Sequence, residues 1–500
     1  YNPEGSKDKW IQAALTIEGK IGTWDVTLAG GHLKRKTTTE SDYSDYAYFY
    51  DALSGYGNYF YDNAGNLVNP NQYIQGIDRY KKTFGELRVA SPADAPLRVI
   101  AGLFYQRQSH NIEQNYIIND IADSITVTGT DSNIWLTKQQ RVDRDYAAFG
   151  EASFDVTDKL TLTGGLRYYK YDNSLQGFFG YASGYSGDKF DPVLLDFAVD
   201  GTGEAACNGQ PVIVAGSPCT NVNKSTSDTG FIHKLNATYK FSDDALVYAT
   251  WSRGFRPGGI NRRGTLPPYG ADELDNYELG WKTTFGDFRW NGAVYQEDWN
   301  NIQLSFLGAN GLTEIRNAGI ARIRGVEMDV GYRKGGFSIN AGFSYNDAAI
   351  RRDFCRVANA EFDCSLPLPD SKRDDDLLPD DNELLAPSGS RLPTTAKFKG
   401  NAVARYEFPL GEWDGHVQFA VNHIGSRRSD LRIAENAIKG NLAAYTTADL
   451  SVGIKSDIWK IDLFATNLFD KNGVVGTGIQ CLETVCGDPG NATATGGAFY

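Results

Sequence analysis

Segment after segment of this sequence alternates apolar and polar residues with a period of two, which commits those segments to β-strands with two chemically different faces. Tyr277, Leu279, Trp281, Thr283 and Phe285 interleave with Glu278, Gly280, Lys282 and Thr284. Val326, Met328, Val330 and Tyr332 interleave with Glu327, Asp329, Gly331 and Arg333. Phe337, Ile339, Ala341, Phe343 and Tyr345 alternate with Ser338, Asn340, Gly342, Ser344 and Asn346. Trp459, Ile461, Leu463 and Ala465 alternate with Lys460, Asp462 and Thr466, and only Phe464 breaks the pattern.

Very short turns join the strands in pairs, for example at Thr157-Asp158, Ser242-Asp243-Asp244, Phe285-Gly286-Asp287, Gly335-Gly336 and Ser456-Asp457, all residue types that favour tight reversals. About eight such hairpins, or about sixteen strands of about ten residues, are expected. Long polar segments join the opposite ends, roughly Thr37 to Arg79, Asn111 to Lys138, Asn173 to Ser227, Gly258 to Ala271, Arg351 to Arg391 and Arg428 to Asn441. Short turns alternating with long loops are the arrangement of an outer-membrane barrel, with the short turns on the periplasmic side. An array of soluble β-sandwiches also alternates apolar and polar, but its strands average ~5 to 6 residues and its connections do not sort by length. A parallel β-helix needs a short repeat of fixed period, and none is found.

One Met against 54 Gly, 28 Tyr, 26 Phe and 9 Trp in 500 residues speaks against a helical protein. Mean hydropathy is -0.41, and no run reaches the ~18 apolar residues that a spanning helix needs. A spanning barrel passes that test unseen, because its apolar residues occupy every second position. Lys or Arg facing lipid at the midplane of a barrel costs ~2 to 4 kcal/mol. The rows holding Glu278 and Lys282, Glu327 and Asp329, and Lys460 and Asp462 are therefore expected to face a hydrated lumen. Trp24, Trp281, Trp290 and Trp459 fall in outward rows, where they would serve in aromatic girdles or simply pack. The 49 basic and 62 acidic residues give a net charge of -13, which argues against a nucleic-acid partner. Tyr1-Asn2-Pro3-Glu4-Gly5 has neither the basic start nor the apolar core of a signal peptide, so either the mature form begins here or the N-terminus is missing.

Several segments resemble TonB-dependent outer-membrane receptors. The first is Tyr146-Ala147-Ala148-Phe149-Gly150-Glu151, a short Thr157-Asp158 turn, and Leu160-Thr161-Leu162-Thr163-Gly164-Gly165-Leu166-Arg167-Tyr168. Leu246 to Gly259, Glu278-Leu279-Gly280 with Lys282, and Asn317-Ala318-Gly319 followed by Arg324-Gly325-Val326-Glu327 are similar to the family in order and kind. Asn467-Leu468-Phe469-Asp470-Lys471 looks like its penultimate-strand motif. The resemblance runs from about Arg79 to Lys471 and implies an all-β, transmembrane antiparallel β-barrel of the 22-stranded type, with a plug domain inside. Residues 1–500 are expected to be a partial barrel: the plug, the first strands and the last strand are not seen in this sequence.

Six Cys fall in three local pairs within proposed outer loops, Cys207 with Cys219, Cys355 with Cys364, and Cys481 with Cys486. Six cysteines allow 15 connectivities, and the grouping favours local disulfides formed in an oxidising compartment. No pair is Cys-x-x-Cys and no His lies near one, so a metal reading fails on spacing. His32, His110, His233, His416 and His423 form no catalytic motif, and the odd separation of His416 and His423 puts them on opposite faces of a strand. No nucleophile elbow, Walker loop or zincin motif is present, so no enzyme and no cofactor are expected.

Binding residues are sought in the loops. Arg253, Arg256, Arg262, Arg263 and Tyr269 surround a Pro/Gly-rich loop and suit capture of carboxylates or phosphates. The same Arg would equally serve lipopolysaccharide phosphates or pair with Asp272 and Glu273. Tyr46, Tyr48, Tyr50 and Tyr59 belong to a Tyr-rich stretch, 43–61, that would stack on a flat or sugar-like ligand or pack on itself. Asp374, Asp375, Asp376, Asp380 and Asp381 would bind Ca²⁺ or remain solvated; no metal site is assigned.

The resemblance implies a bacterial outer-membrane receptor that takes up a scarce solute, most often a ferric siderophore, with energy from an inner-membrane TonB-type transducer reached through the missing N-terminal region. Outer-membrane lipid, lipopolysaccharide and the small-molecule or chelate ligand are the other expected partners. A passive porin-like channel and a surface adhesion or assembly barrel binding another protein stay open as alternatives.

Overall fold

The structure is a computed structural model that describes residues 2–44, 60–182, 202–207, 209–264, 266–307, 313–355 and 384–477. The chain opens with ten long strands: β1 (Gly5–Ile21), β2 (Trp24–Asp42), β3 (Gln72–Ala90), β4 (Leu97–Ile118), β5 (Asn133–Asp155), β6 (Leu160–Tyr181), β7 (Val222–Ser242), β8 (Ala245–Arg256), β9 (Asp272–Phe285) and β10 (Phe288–Asn300). A loop hairpin, β11 (Gln303–Leu307) with β12 (Thr313–Asn317), precedes β13 (Ile320–Lys334) and β14 (Phe337–Ile350). A second, β15 (Phe354–Cys355) with β16 (Leu384–Ala386), precedes β17 (Phe398–Leu410) and β18 (Trp413–Ile424). A third, β19 (Arg427–Arg428) with β20 (Asn441–Leu442), encloses a short helix, Ile433–Lys439, before β21 (Tyr445–Lys455) and β22 (Lys460–Ala465).

The sixteen long strands form one antiparallel sheet whose spatial order is their chain order. Tight turns close one end. Gly22, Gly286, Gly335 and Gly411 take the positive φ that such two-residue reversals demand. In the turn between β5 and β6, the Thr157 hydroxyl instead accepts from the Leu160 N–H at 3.0 Å. All five short turns expected from sequence fall here. The outer strands β1 and β22 pair only with β2 and β21 among the described residues, and β1 is exposed along its whole length.

Two expectations need correction. The first strands are not about ten residues long, since β4, β5 and β6 run 22, 23 and 22 residues, whereas β8, β18 and β21, at 12, 12 and 11, are close to that expectation. At ~3.4 Å per residue β4, β5 and β6 far exceed the ~25 Å apolar band of a barrel. Their outer halves project beyond that band and pack against the loops on both faces, so the clean split into an apolar and a polar row ends there and the sequence reads as loop. The segments placed at Thr37 to Arg79, Asn111 to Lys138 and Asn173 to Ser227 are strand at both ends, since β2, β4 and β6 run into them and β3, β5 and β7 start within them. The loop carrying β11 and β12 was not foreseen.

Register lines separate the two faces. Ile17, Leu28, Leu87 and Leu103 lie opposite one another on β1 to β4, all exposed, and form an outward apolar ladder. Glu278 on β9, Glu327 on β13 and Lys460 on β22 lie in the other row, toward the lumen, as expected. There Lys460 pairs with Asp462 at 3.0 Å. Buried apolar residues collect above the barrel instead of inside it. One cluster joins Phe60, Ile118, Trp135, Leu175, Phe179 and Ile260, and another joins Ile302, Ile350, Phe354, Leu385, Leu392 and Leu431. The crown of loops is therefore a packed body, held where strands project beyond the membrane.

Candidate functional site

The loop between β8 and β9 folds inward over the mouth of the barrel. Gly259 and Tyr269 exchange backbone hydrogen bonds at 3.0 and 2.9 Å, which closes residues 259–269 into a narrow finger. Ile260 plants the finger in the apolar cluster around Trp135 and Phe179. A Cβ on Gly258 would come within 2.6 Å of the Tyr269 carbonyl and 2.9 Å of the Tyr171 hydroxyl, so glycine is needed for this approach. Asn261 fixes the finger. Its amide donates to the Ile315 carbonyl at 3.0 Å and accepts from the Ile315 N–H at 2.9 Å, binding the finger to β12.

Beneath the finger lies a cavity of about 400 Å³. Its wall combines Arg141, Asp143 and Asp145 of β5 with His110 of β4, Arg256 of β8 and Tyr269 of the finger. Arg141 pairs with Asp143 at 3.2 Å, and Asp143 also accepts from Asn173 of β6. Gln106 donates to Asp145 at 3.1 Å. His110 lies 2.7 Å from Asp78 and stacks on Tyr80 with ring centroids 3.9 Å apart. Donors and acceptors are thus held at fixed positions around a polar chamber, an arrangement suited to orienting a compact polar ligand. A larger groove, lined by Leu235, Trp251, Tyr277 and Leu279, lies on the outward apolar face.

The structure brings Arg256, Arg262, Arg263 and Tyr269 to one side of the mouth and puts Arg253 on the outward face of β8, and most of the guanidinium capacity is spent within the protein. Arg253 grips Asp275 with two bonds of 2.8 Å and reaches Glu273 at 3.1 Å. Arg256 pairs with Asp272 at 2.5 Å and donates to the Gln303 carbonyl at 3.0 Å. Arg263 lies 3.3 Å from the buried Glu314, which Arg316 also holds at 2.6 Å. Arg262 differs: it is exposed and donates to the neutral Gln114 side chain at 3.1 Å, with no carboxylate partner among the described residues.

Tyr46, Tyr48, Tyr50 and Tyr59 lie outside the described residues. So do Asp374, Asp375, Asp376, Asp380 and Asp381, and so do Cys364, Cys481 and Cys486. Cys207 and Cys219 form a disulfide, and Cys355 is disulfide-bonded. At the foot of the Tyr-rich loop, Tyr43 meets Tyr116 edge-on at 6.0 Å, and Trp135 meets Phe179 and Tyr181 at 4.7 and 4.5 Å. Sequence reasoning included Tyr43 in the Tyr-rich stretch but missed the rest of this aromatic wall, together with Arg141, Asp143 and Asn261. A Trp inside a polar segment was the available signal for Trp135, while nothing along the chain marks the other three.

The wider crown carries its own charge network. Burial pushes the Asp430 carboxyl up, but hydrogen bonds and charge from Arg432 and Lys439 outweigh that and hold it below the ordinary carboxylate value. The Asp62 carboxyl is lowered by the Asn66 side chain and by the backbone N–H groups of the 62–66 turn.

Comparison with known proteins places this geometry. The family model for the TonB dependent receptor-like β-barrel matches residues 3–468. The pesticin receptors of Yersinia enterocolitica (serotype O:8 / biotype 1B) and Yersinia pestis are each 23% identical over 399 residues, covering 79% of this chain and 47% of theirs. The chain spans about half the length of these curated relatives. Among solved structures, the ferric yersiniabactin uptake receptor FyuA from Yersinia pestis superposes with a TM-score of 0.65 at 17% identity, over 95% of this chain and 58% of that one. The siderophore receptor PiuA from Acinetobacter baumannii gives 0.61 at 12% identity, over 95% and 62%. Identities this low speak for the fold alone.

Proposed function

This chain belongs to the TonB-dependent receptor-like β-barrel family of Gram-negative outer membranes, and from that premise we propose that the protein takes up a scarce solute, a ferric siderophore or similar chelate, with energy from an inner-membrane TonB-type complex. The observation that carries this reading is the finger of residues 259–269, pinned across a polar chamber of about 400 Å³ at the mouth of a barrel. A passive pore has no need of a preformed chamber of that size, whereas a receptor must hold its solute before moving it. The names of similar proteins, pesticin receptor and ferric yersiniabactin uptake receptor, support the substrate class.

In this proposal Arg262 and Tyr269 contact the ligand directly, and Tyr46, Tyr48, Tyr50 and Tyr59 of the Tyr-rich stretch supply aromatic faces to it. Arg253, Arg256 and Arg263 hold the loops in place. A plug and further strands that meet the free edges of β1 and β22 complete the barrel, since open edges in lipid leave backbone groups unpaired. The transducer acts through the plug, and the outer wall contacts lipid and lipopolysaccharide. The test is uptake of iron-55 loaded on a panel of siderophores by iron-starved cells with and without the gene, each with and without a working transducer. Uptake that needs both is the expected result; uptake that persists without the transducer defeats the reading.

A further inference from the structure

On the outward face, the β-ladder rows immediately beyond the aromatic band carry like charges opposite one another. Above the Leu28, Leu87 and Leu103 row, Tyr105 faces Tyr146 with ring centroids 5.1 Å apart. The next rows place Arg107 opposite Arg144, then Lys34 opposite Lys81, then Lys36 opposite Arg79. Of these six, only Arg79 makes an ion pair among the described residues, with Glu113 at 3.2 Å. Like charges directly opposite on paired strands destabilise the pairing. Such a patch in a chain of net charge -13 is a specific feature and not background.

The other side of the barrel shows the contrast. In the corresponding outward position Arg253 meets Asp275, Arg322 meets Asp298 and Lys397 meets Asp347. There the wall neutralises itself; on β2 to β5 Glu113 takes up Arg79 and Lys138, and the other five cations of the patch have no ion pair among the described residues.

We propose that this patch binds the phosphorylated headgroup of an outer-leaflet glycolipid. The occupant must lie along the wall of the barrel at the membrane surface, because the cations share a face with the apolar ladder and lie one strand segment above it. A molecule with acyl chains for the Leu rows and phosphates for the Lys and Arg rows meets both requirements, and phosphate oxygens accept from guanidinium and ammonium groups in strong charge-assisted bonds. This rests on the outer-membrane location and the lipid partner proposed above, and not on solute uptake.

The test uses the full-length protein, purified in detergent and examined by native mass spectrometry with bis-phosphorylated lipid A or its dephosphorylated form. Two double variants are compared, Lys34→Ser with Lys81→Ser and Arg107→Gln with Arg144→Gln, beside a control, Lys159→Ser, in a short turn at the other end. Because each double variant relieves a repulsion, the folded barrel should be no less stable in plain detergent. Affinity for the phosphorylated lipid is expected to fall about tenfold or more in each, with no change in the control. Equal binding of the dephosphorylated lipid, unchanged affinity in both double variants, or full displacement by inorganic phosphate would overturn the proposal. If a variant does not fold, the wild-type unfolding temperature decides: it should rise with phosphorylated lipid A and not with the dephosphorylated form, and an equal rise with both would overturn it. Siderophore uptake measured on the same variants separates the two readings, since loss of lipid binding with uptake intact leaves each standing alone.

Discussion

The hydroxyl of Tyr248 donates to the Glu278 carboxylate across the β8–β9 ladder at 2.5 Å, and its ring lies directly over Gly280. The motif repeats two strands on, where the ring of Tyr295 covers Gly325 and its hydroxyl donates to Asn346. Each glycine makes room for a tyrosine that carries a hydrogen bond along the luminal wall.

Gly280→Val should therefore destabilise the barrel. A Cβ at this position would come within 2.4 Å of the Tyr248 ring, and overpacking of this kind costs ~1 to 3 kcal/mol. The loss should appear as a lower unfolding temperature in gel-mobility assays of the folded barrel. Adding Tyr248→Ala to the same chain should recover part of it, because the clash is then gone. Additive losses in the double variant would show that the two residues do not interact.

How much of this was legible beforehand follows from the same residues. Alternation around Gly280 and Glu278 placed both in the luminal row, because period two is a local property of the chain. The short turns were readable for the same reason. The mouth was not: Asn261 reaches Ile315 across 54 positions and Arg262 reaches Gln114 across 148, distances over which spacing carries no signal. The Arg cluster was recognised by residue type, yet its commitment to Asp275, Asp272 and Glu314 depends on register between strands, which the sequence does not expose.

Asn261→Ala should loosen the finger. The substitution leaves the backbone N–H and carbonyl of Ile315 without their partner, at a cost of ~1 to 3 kcal/mol where such groups are buried. Limited proteolysis should then cut within 257–271 faster than in the unaltered protein, while the barrel core stays resistant. Siderophore affinity should fall with it. An unchanged cleavage rate would remove Asn261 from its pinning role.

Arg253 and Arg262 should separate structure from binding. Arg253→Ala leaves the Asp275 carboxylate, largely buried, with only a 3.4 Å contact from Asn300, and breaking a pair of this kind costs on the order of 3 kcal/mol. Arg262→Ala removes an exposed side chain and should alter stability by no more than about 0.5 kcal/mol. Ligand affinity should respond in the opposite order, dropping for Arg262→Ala in folded protein. Tryptophan-fluorescence titration with a ferric siderophore would measure it, and wild-type affinity for Arg262→Ala would strike that residue from the site.

The Cys207–Cys219 bridge closes a segment with a sequence separation of 12, and Cys207 packs in the cluster of Val127, Leu136 and Phe178. Closing a loop of this length is worth about 3 kcal/mol in the chain-entropy account. Cys219→Ser should thus free residues 208–220 for hydrogen exchange and proteolysis, leaving the strands below protected. Loss of protection in β4 to β6 as well would mean that the bridge supports the barrel and not only its loop.

Acid should release the crown near Asp430 before it touches the barrel. The Asp430 carboxyl lies 3.2 Å from Arg432 and 2.9 Å from Lys439, and these partners hold its folded value below the ordinary 3.8. A carboxyl lowered by folding contributes stability that is fully present above its unfolded value and is lost as pH falls through its folded value. Protection against hydrogen exchange in residues 425–444, taken relative to the intrinsic rate at each pH, should accordingly be constant from neutral pH down to about 4, the usual aspartate range, and fall below it. Asp430→Asn keeps the shape but cannot ionise, so it should exchange faster at neutral pH and lose most of the acid dependence. Glu435, 2.6 Å from Arg432, leaves a remainder that Asp430→Asn does not abolish. Acid sensitivity as strong in Asp430→Asn as in the unaltered protein would assign the effect to Glu435 and not to Asp430.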